Sequence, residues 1–181
     1  MNSRIIIGIA GKKRSGKDTT ADIIKCYSGN KVKTFAFATI LKEVIQKVFL
    51  ISDEEMNNQK EVKIERLGYS PRQLLQQFGD HFREINPNVF IDYMDHIISS
   101  QVKTVIITDV RFDDECQFIK KHNGVIIGID AEERLSALRA RVDNHITEKG
   151  VSKDLVDFWV TNNGTKEEFK DKMIKLIKNI L

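Results

Sequence analysis

Cysteine is nearly absent. Cys26 and Cys116 are the only two in 181 residues, too few for a disulfide framework or a thiolate zinc site. Each falls in a stretch of helical pattern, so both are read as plain reduced thiols. Proline is as scarce, with Pro71 and Pro87 alone, and no linker, repeat or low-complexity tract interrupts the chain. No apolar run approaches the ~18 residues of a membrane span, so no membrane partner is expected. The opening MNSRIIIGIAG is too short in its apolar part, and too soon glycine-rich, for a secretory signal. A cytoplasmic setting is the expectation. Excess charge is also small. A net charge of +3 does not announce a nucleic-acid polymer as partner.

What is present is an ordinary globular balance, 41% hydrophobic and 30% charged, in a length that can bury one sizeable core. A single domain over 1–181 is expected. Five apolar runs stand out: RIIIGIA (4–10), VKTFAFA (32–38), KTVIITDV (103–110), GVIIGID (124–130) and DFWVT (157–161). They are mostly continuous, which suits strands buried on both faces of a parallel sheet. Helical stretches separate them, so the fold class is α/β. SDEE (52–55) and SPRQ (70–73) read as helix starts, the second with Ser70 as cap, Pro71 in the first turn and Gln73 closing a capping box. A last helix is expected from Thr165, boxed by Glu168, with Phe169, Met173, Leu176, Ile177 and Ile180 on its core face.

GKKRSGKDT, Gly11 to Thr19, nearly fits G-x-x-x-x-G-K-[S/T]. It follows a buried strand and opens a helix, the setting a phosphate loop requires. Gly11 and Gly16 let the backbone bend, and the amides from about Lys13 through Arg14, Ser15 and Gly16 to Thr19 can then face phosphate oxygens, with Lys12 part of the same ATP-binding loop. Lys17 can reach the β- and γ-phosphates, and Thr19 the α-phosphate. Asp18 stands where a magnesium-holding hydroxyl is usual. A carboxylate there is tolerable beside a triphosphate if a cation lies between them. Either Asp18 holds Mg2+, directly or through water, or Thr19 does. Asp109 ends the third strand in IITDVRFDDE, the slot of a second magnesium contact. Arg111 sits at the same sheet edge, with a fork suited to a phosphate.

The helix that begins at Ser70 carries Arg72, Gln76, Gly79 and Arg83 on one stripe. Gly79 leaves room for a flat ring there, and Gln76 and Asp80 offer donors and acceptors for a base edge. Phe37, Phe78 and Phe112 either stack on that ring or pack in the core. In 131–150, Arg134 and Arg141 share a helical face opposite Leu135, Leu138 and Val142. They either close over a nucleotide or belong to a solvated amphipathic helix.

Taken together, GKKRSGKDTTAD, SPRQLLQQFGD, DVRFDDE, HITEKG and VTNNGTKEEF resemble, in order and over nearly the whole chain, the deoxynucleoside monophosphate kinases of bacteriophages and related viral proteins. The first stretch alone is less specific, because phosphomevalonate kinases carry a similar loop. The resemblance implies a P-loop three-layer sandwich, a five-stranded parallel sheet of order 2-3-1-4-5 with helices on both faces. It implies a helical acceptor-binding insertion at about 39–100 and a lid at about 131–150. It also implies ATP as donor, Mg2+, a dNMP acceptor and, for a viral protein, the host cytoplasm, and it is compatible with a homodimer.

Carried over by position, Lys42, Arg72, Gln76 and Arg111 lie on the acceptor side, and Asn162, Asn163 and Gly164 near the adenine. Lys17, Asp109 and Arg111 carry the catalytic electrostatics. His145 and Glu148 match an H-x-[S/T]-E stretch. Much of the insertion that some phage members carry before the Arg72 helix is missing, so base choice does not carry over. Competing readings are another small-molecule phosphate kinase, with phosphomevalonate or a coenzyme A precursor as acceptor, and a nucleotide-binding regulator without turnover.

Overall fold

The computed structural model describes residues 5–101, 103–137 and 150–181. In chain order the elements are β1 (Ile6–Ala10), α1 (Lys17–Ser28), β2 (Val32–Phe35), α2 (Thr39–Phe49), α3 (Asp53–Asn57), α4 (Pro71–Ile85) and α5 (Val89–Ser99). There follow β3 (Thr104–Val110), α6 (Asp113–Lys121), β4 (Val125–Asp130), α7 (Glu132–Ala137), β5 (Phe158–Thr161) and α8 (Lys166–Ile180). The chain forms two compact units, one of residues 1–36 and 98–181, the other of 37–97.

The first unit holds a five-stranded sheet of order β2-β3-β1-β4-β5, parallel at every pairing. The α/β class and the strand order are those expected. β1 is buried along its whole length, and β3 and β4 along most of theirs. Their continuous isoleucine and valine runs follow from having both faces covered. One face packs Ile7, Ile9, Ile106, Ile127 and Val160 against Ala21 and Ile24 of α1 and Phe169, Met173 and Ile177 of α8. Each of these side chains larger than alanine contributes about 1.5–3 kcal/mol by leaving water. α8 starts as expected: Thr165 Oγ1 accepts from the Glu168 amide at 3.2 Å, and Glu168 Oε2 from the Thr165 amide at 2.8 Å.

Two expectations need correction. VKTFAFA is a strand only to Phe35, and Phe37, a buried residue, belongs to the helical unit. DFWVT is an edge strand, not one covered on both faces: Phe158, Trp159 and Thr161 are exposed and only Val160 is buried. The Trp159 indole lies across Gly128, its register partner on β4.

The second unit is helical. α3 and α4 begin with reciprocal capping boxes at Ser52/Glu55 and Ser70/Gln73, and Pro71 opens α4. Phe78 packs edge-on against Phe49 with ring centroids 5.3 Å apart. Gly79 is also a correction. It is buried, and a Cβ there would lie 3.3 Å from Leu41 of α2. Its missing side chain lets α2 and α4 approach; the place of a flat ring is taken by Leu41.

A Cβ on Gly128 would lie 2.6–2.8 Å from three indole carbons of Trp159. Gly128→Ala is expected to lower stability by about 1–3 kcal/mol and to shift the emission of this sole tryptophan; an unchanged melting curve would contradict the packing. The thiols should also differ. Burial, with Asp113 nearby, pushes the Cys116 thiol up to about 12, while Cys26 is exposed. Below that pH Cys116 stays protonated, so a thiolate-specific reagent near pH 8 should label one thiol in the folded chain and two after denaturation.

Candidate active site

The loop between β1 and α1 takes a shape that its residues dictate. Gly11 has φ 149° and Gly16 has φ 110°, both in the region L side chains avoid. A Cβ on Gly11 would sit 2.6 Å from Ser15 Oγ and 2.8 Å from the Ile129 carbonyl, and one on Gly16 would run into the Asn162 amide. Between them Arg14 has φ 62°, an unfavourable value for a non-glycine residue. Neighbours hold this turn in place. The Ser15 amide donates to the Lys12 carbonyl at 3.1 Å. The Ser15 carbonyl accepts from Asn162 Nδ2 at 2.7 Å and from Arg134 Nη2 at 3.2 Å. Arg134 also donates to the carbonyls of Arg14, at 2.8 Å, and Asn162, at 3.1 Å.

The loop thus delivers α1 with its N-terminus open. Gly16, the residue before the helix, provides no side-chain cap, and first-turn amides lack intrahelical acceptors. Ser15 is wholly buried and its Oγ meets no hydrogen-bond partner among the described residues. Lys17 Nζ folds onto the carbonyls of Gly11 and Lys12, at 2.6 and 2.8 Å. Amides, an unpartnered hydroxyl and an ammonium make a donor set for a polyphosphate. Asp18 and Thr19 are exposed on the first turn of α1. Thr20, which the sequence did not single out, is buried and donates to the Gly16 carbonyl at 3.0 Å. Lys12 pairs with Glu132 at 3.6 Å across solvent, a contact worth little.

β3 brings Asp109 and Arg111 to the same edge through an irregularity. Gly8 pairs with Ile107 and Ala10 with Val110, so two steps along β1 match three along β3, a bulge. The extra residue falls at Thr108–Asp109, next to the residue that enters the phosphate loop. Among the described residues no group of three or more His, Cys, Asp or Glu side chains is gathered as a metal site. Magnesium does not need one. It keeps several waters and is bound by one or two carboxylates plus substrate phosphates, and Asp18 and Asp109 fit that donor chemistry.

The loop after β5 sits against the phosphate loop. The Asn162 amide donates to the Asp130 carbonyl at 2.6 Å, and Asn163 Oδ1 accepts from the Arg134 amide at 3.4 Å. Gly164 leads into the Thr165 cap. Beside them lies a cavity of about 470 Å³ walled by Gly11, Lys12, Asp130, Leu135, Trp159 and Thr161, among others. Trp159 carried no signal in the sequence beyond its strand pattern.

Lys42, Arg72, Gln76 and Asp80 belong to the helical unit. Arg72 Nε donates to Glu61 Oε1 at 2.6 Å, with the arginine side chain 13% exposed. Arg83 lies over the Phe90 ring, 4.6 Å from its centroid. Phe37 is buried, and Phe78 packs against Phe49. Arg141, His145 and Glu148 lie outside the described residues.

A parallel sheet of order 2-3-1-4-5 with a glycine loop opening α1, a lysine as the first residue of that helix and an aspartate next to the end of β3 defines a phosphate-loop kinase, a nucleotide-binding phosphotransferase. The family follows from the chain as a whole. The model of the deoxynucleotide monophosphate kinase family matches residues 5–69 and 51–173, and the chain belongs to that family. A curated protein of Acanthamoeba polyphaga mimivirus, named "Putative deoxynucleotide monophosphate kinase", is 34% identical, with 97% of each chain covered. Among solved structures, dephospho-CoA kinase from Campylobacter jejuni is 15% identical at a TM-score of 0.53, covering 97% of this chain and 96% of its own. Shikimate kinase from Aquifex aeolicus is also 15% identical, at 0.51, covering 97% and 98%. These two share the fold.

Asn162→Ala removes one of the two bonds that hold the Ser15 carbonyl. It should weaken ATP binding by about fivefold, the worth of one hydrogen bond to a positioned group, read as a titration of Trp159 fluorescence. Unchanged affinity would mean Asn162 does not shape the loop.

Proposed function

We propose that the protein transfers the γ-phosphoryl group of ATP to a deoxynucleoside monophosphate, giving ADP and a dNDP. The observation that carries the reading is the uncapped start of α1 beneath Gly11–Thr19, with Lys17 and the buried Ser15 hydroxyl at the same place. Family membership over nearly the whole chain supports the choice of acceptor.

The chain's work is positioning and charge. The amides of Lys13, Arg14 and Gly16 to Thr19 bind the donor phosphates, and Lys17 exchanges its two loop carbonyls for phosphate oxygens. Asn162, Asn163 and Gly164 flank the donor base, for which the cavity beside Trp159 offers an aromatic wall. Arg134 serves the donor side by holding the loop in shape. Arg111 neutralises the acceptor phosphate. Lys42, Arg72, Gln76 and Asp80 of the helical unit bind the acceptor nucleotide, Arg72 in exchange for Glu61. Asp18 and Asp109 would hold Mg2+, which would offset the negative charge of the donor phosphates. Arg141, which shares a helical face with Arg134 in the sequence pattern, is assigned to the lid.

ADP formation should be measured with ATP, Mg2+ and each common dNMP and rNMP singly, with phosphomevalonate and dephospho-coenzyme A alongside. Strong turnover with one or a few dNMPs is expected. Turnover with dephospho-coenzyme A or phosphomevalonate alone would replace the acceptor assignment, and binding of ATP without turnover would favour a regulator. Lys17→Ala should lower kcat by about 10²-fold or more. Arg111→Ala should mainly raise KM for the dNMP, and wild-type activity at low dNMP would remove Arg111 from the acceptor site.

A further inference from the structure

Glu115 is the only charged residue in the buried set of the described chain, 2% exposed, and no role above uses it. Burying a carboxylate is costly unless the protein hydrates it with its own donors. Glu115 lies in the first turn of α6, where the helix end favours negative charge. Its Oε2 accepts from the amide of Arg111 at 2.8 Å and from that of Phe112 at 3.2 Å. One buried oxygen therefore holds two successive amides of the turn that leaves β3.

The sheet does not fix this turn. The last register pair of β3 with β1 is Ala10 with Val110, and the bulge just before it loosens the ladder. Arg111 is the first residue beyond it. Phe112 has no polar side-chain atom to cap α6, so the task falls to a residue further on. A capping Ser or Asp at 112 would satisfy amides inside α6. A carboxylate at 115 reaches back to the arginine's own amide, and so sets the direction in which the Arg111 side chain leaves the backbone.

We infer that Glu115 is a positioning residue for Arg111, holding it for the acceptor phosphate. This rests on the proposed role of Arg111. Glu115→Gln keeps the shape and one acceptor oxygen but loses the charge that strengthens both bonds.

The test is steady-state kinetics of the full chain carrying Glu115→Gln, Arg111→Ala or both, with melting temperatures. Glu115→Gln should raise KM for the dNMP about tenfold, the scale of two weakened charge-assisted bonds, and leave KM for ATP within about twofold. In the Arg111→Ala background the same change should add less than about twofold to the dNMP KM, because coupled residues are not additive. Glu115→Asp keeps the charge but is one methylene short, and should show the same split; it decides the matter if the glutamine variant does not fold.

Equal rises in both KM values, or an undiminished effect in the Arg111→Ala background, would make Glu115 a general support of the fold and overturn the inference. So would an unchanged dNMP KM in Glu115→Gln when Arg111→Ala raises it. If Arg111→Ala itself leaves the dNMP KM unchanged, the acceptor reading fails, and the positioning role fails with it.

Discussion

Much of the donor side depends on the carbonyl of Ser15. It accepts from Asn162 on the loop after β5 and from Arg134 on α7. Both donors belong to segments more than a hundred residues away in sequence. They hold Arg14 at a positive φ, a conformation that costs about 1–3 kcal/mol and persists only when its surroundings enforce it. Turned this way, the loop spends carbonyls on Asn162, Arg134 and Lys17 and leaves the start of α1 for an anion. The helix end is thus available because the opposite polarity has been taken up elsewhere.

The same division of labour recurs at β3. Central strands of a parallel sheet are rigid because both neighbours hold them. A site at their carboxyl edge needs side chains aimed away from the ladder. The bulge opposite Gly8–Ala10 frees Asp109 from strict alternation, and the Glu115 carboxylate then holds the Arg111 and Phe112 amides once the ladder has ended. Sheet, bulge and buried carboxylate act in sequence over eight residues of chain. In the helical unit, Gly79 lets α2 and α4 approach while Arg72 is held by Glu61. There a carboxylate occupies the guanidinium that the proposed function assigns to a phosphate.

Local signals were legible in the residues. The boxes at Ser52, Ser70 and Thr165 each involve atoms within three residues, so the pattern S/T-x-x-E/Q suffices. The continuous runs of β1, β3 and β4 announced burial on both faces. The glycine spacing of Gly11 and Gly16 announced the phosphate loop, because positive φ and close approach leave few other residues acceptable. The edge character of β5, the end of β2 at Phe35 and the use of Gly79 were not legible, since each depends on which element lies alongside.

By itself the sequence determined the α/β alternation, the helix starts and the loop that takes phosphate, because these rest on periodicity and on atoms near one another in the chain. The strand order came with the family resemblance. Tertiary structure alone decided that Asn162 and Arg134 converge on Ser15, that Trp159 covers Gly128 and walls a cavity, and that Glu115 reaches back to Arg111. Those contacts join residues whose types are unremarkable in isolation. Their meaning comes from packing partners brought close by the fold, and residue spacing along the chain does not encode that proximity.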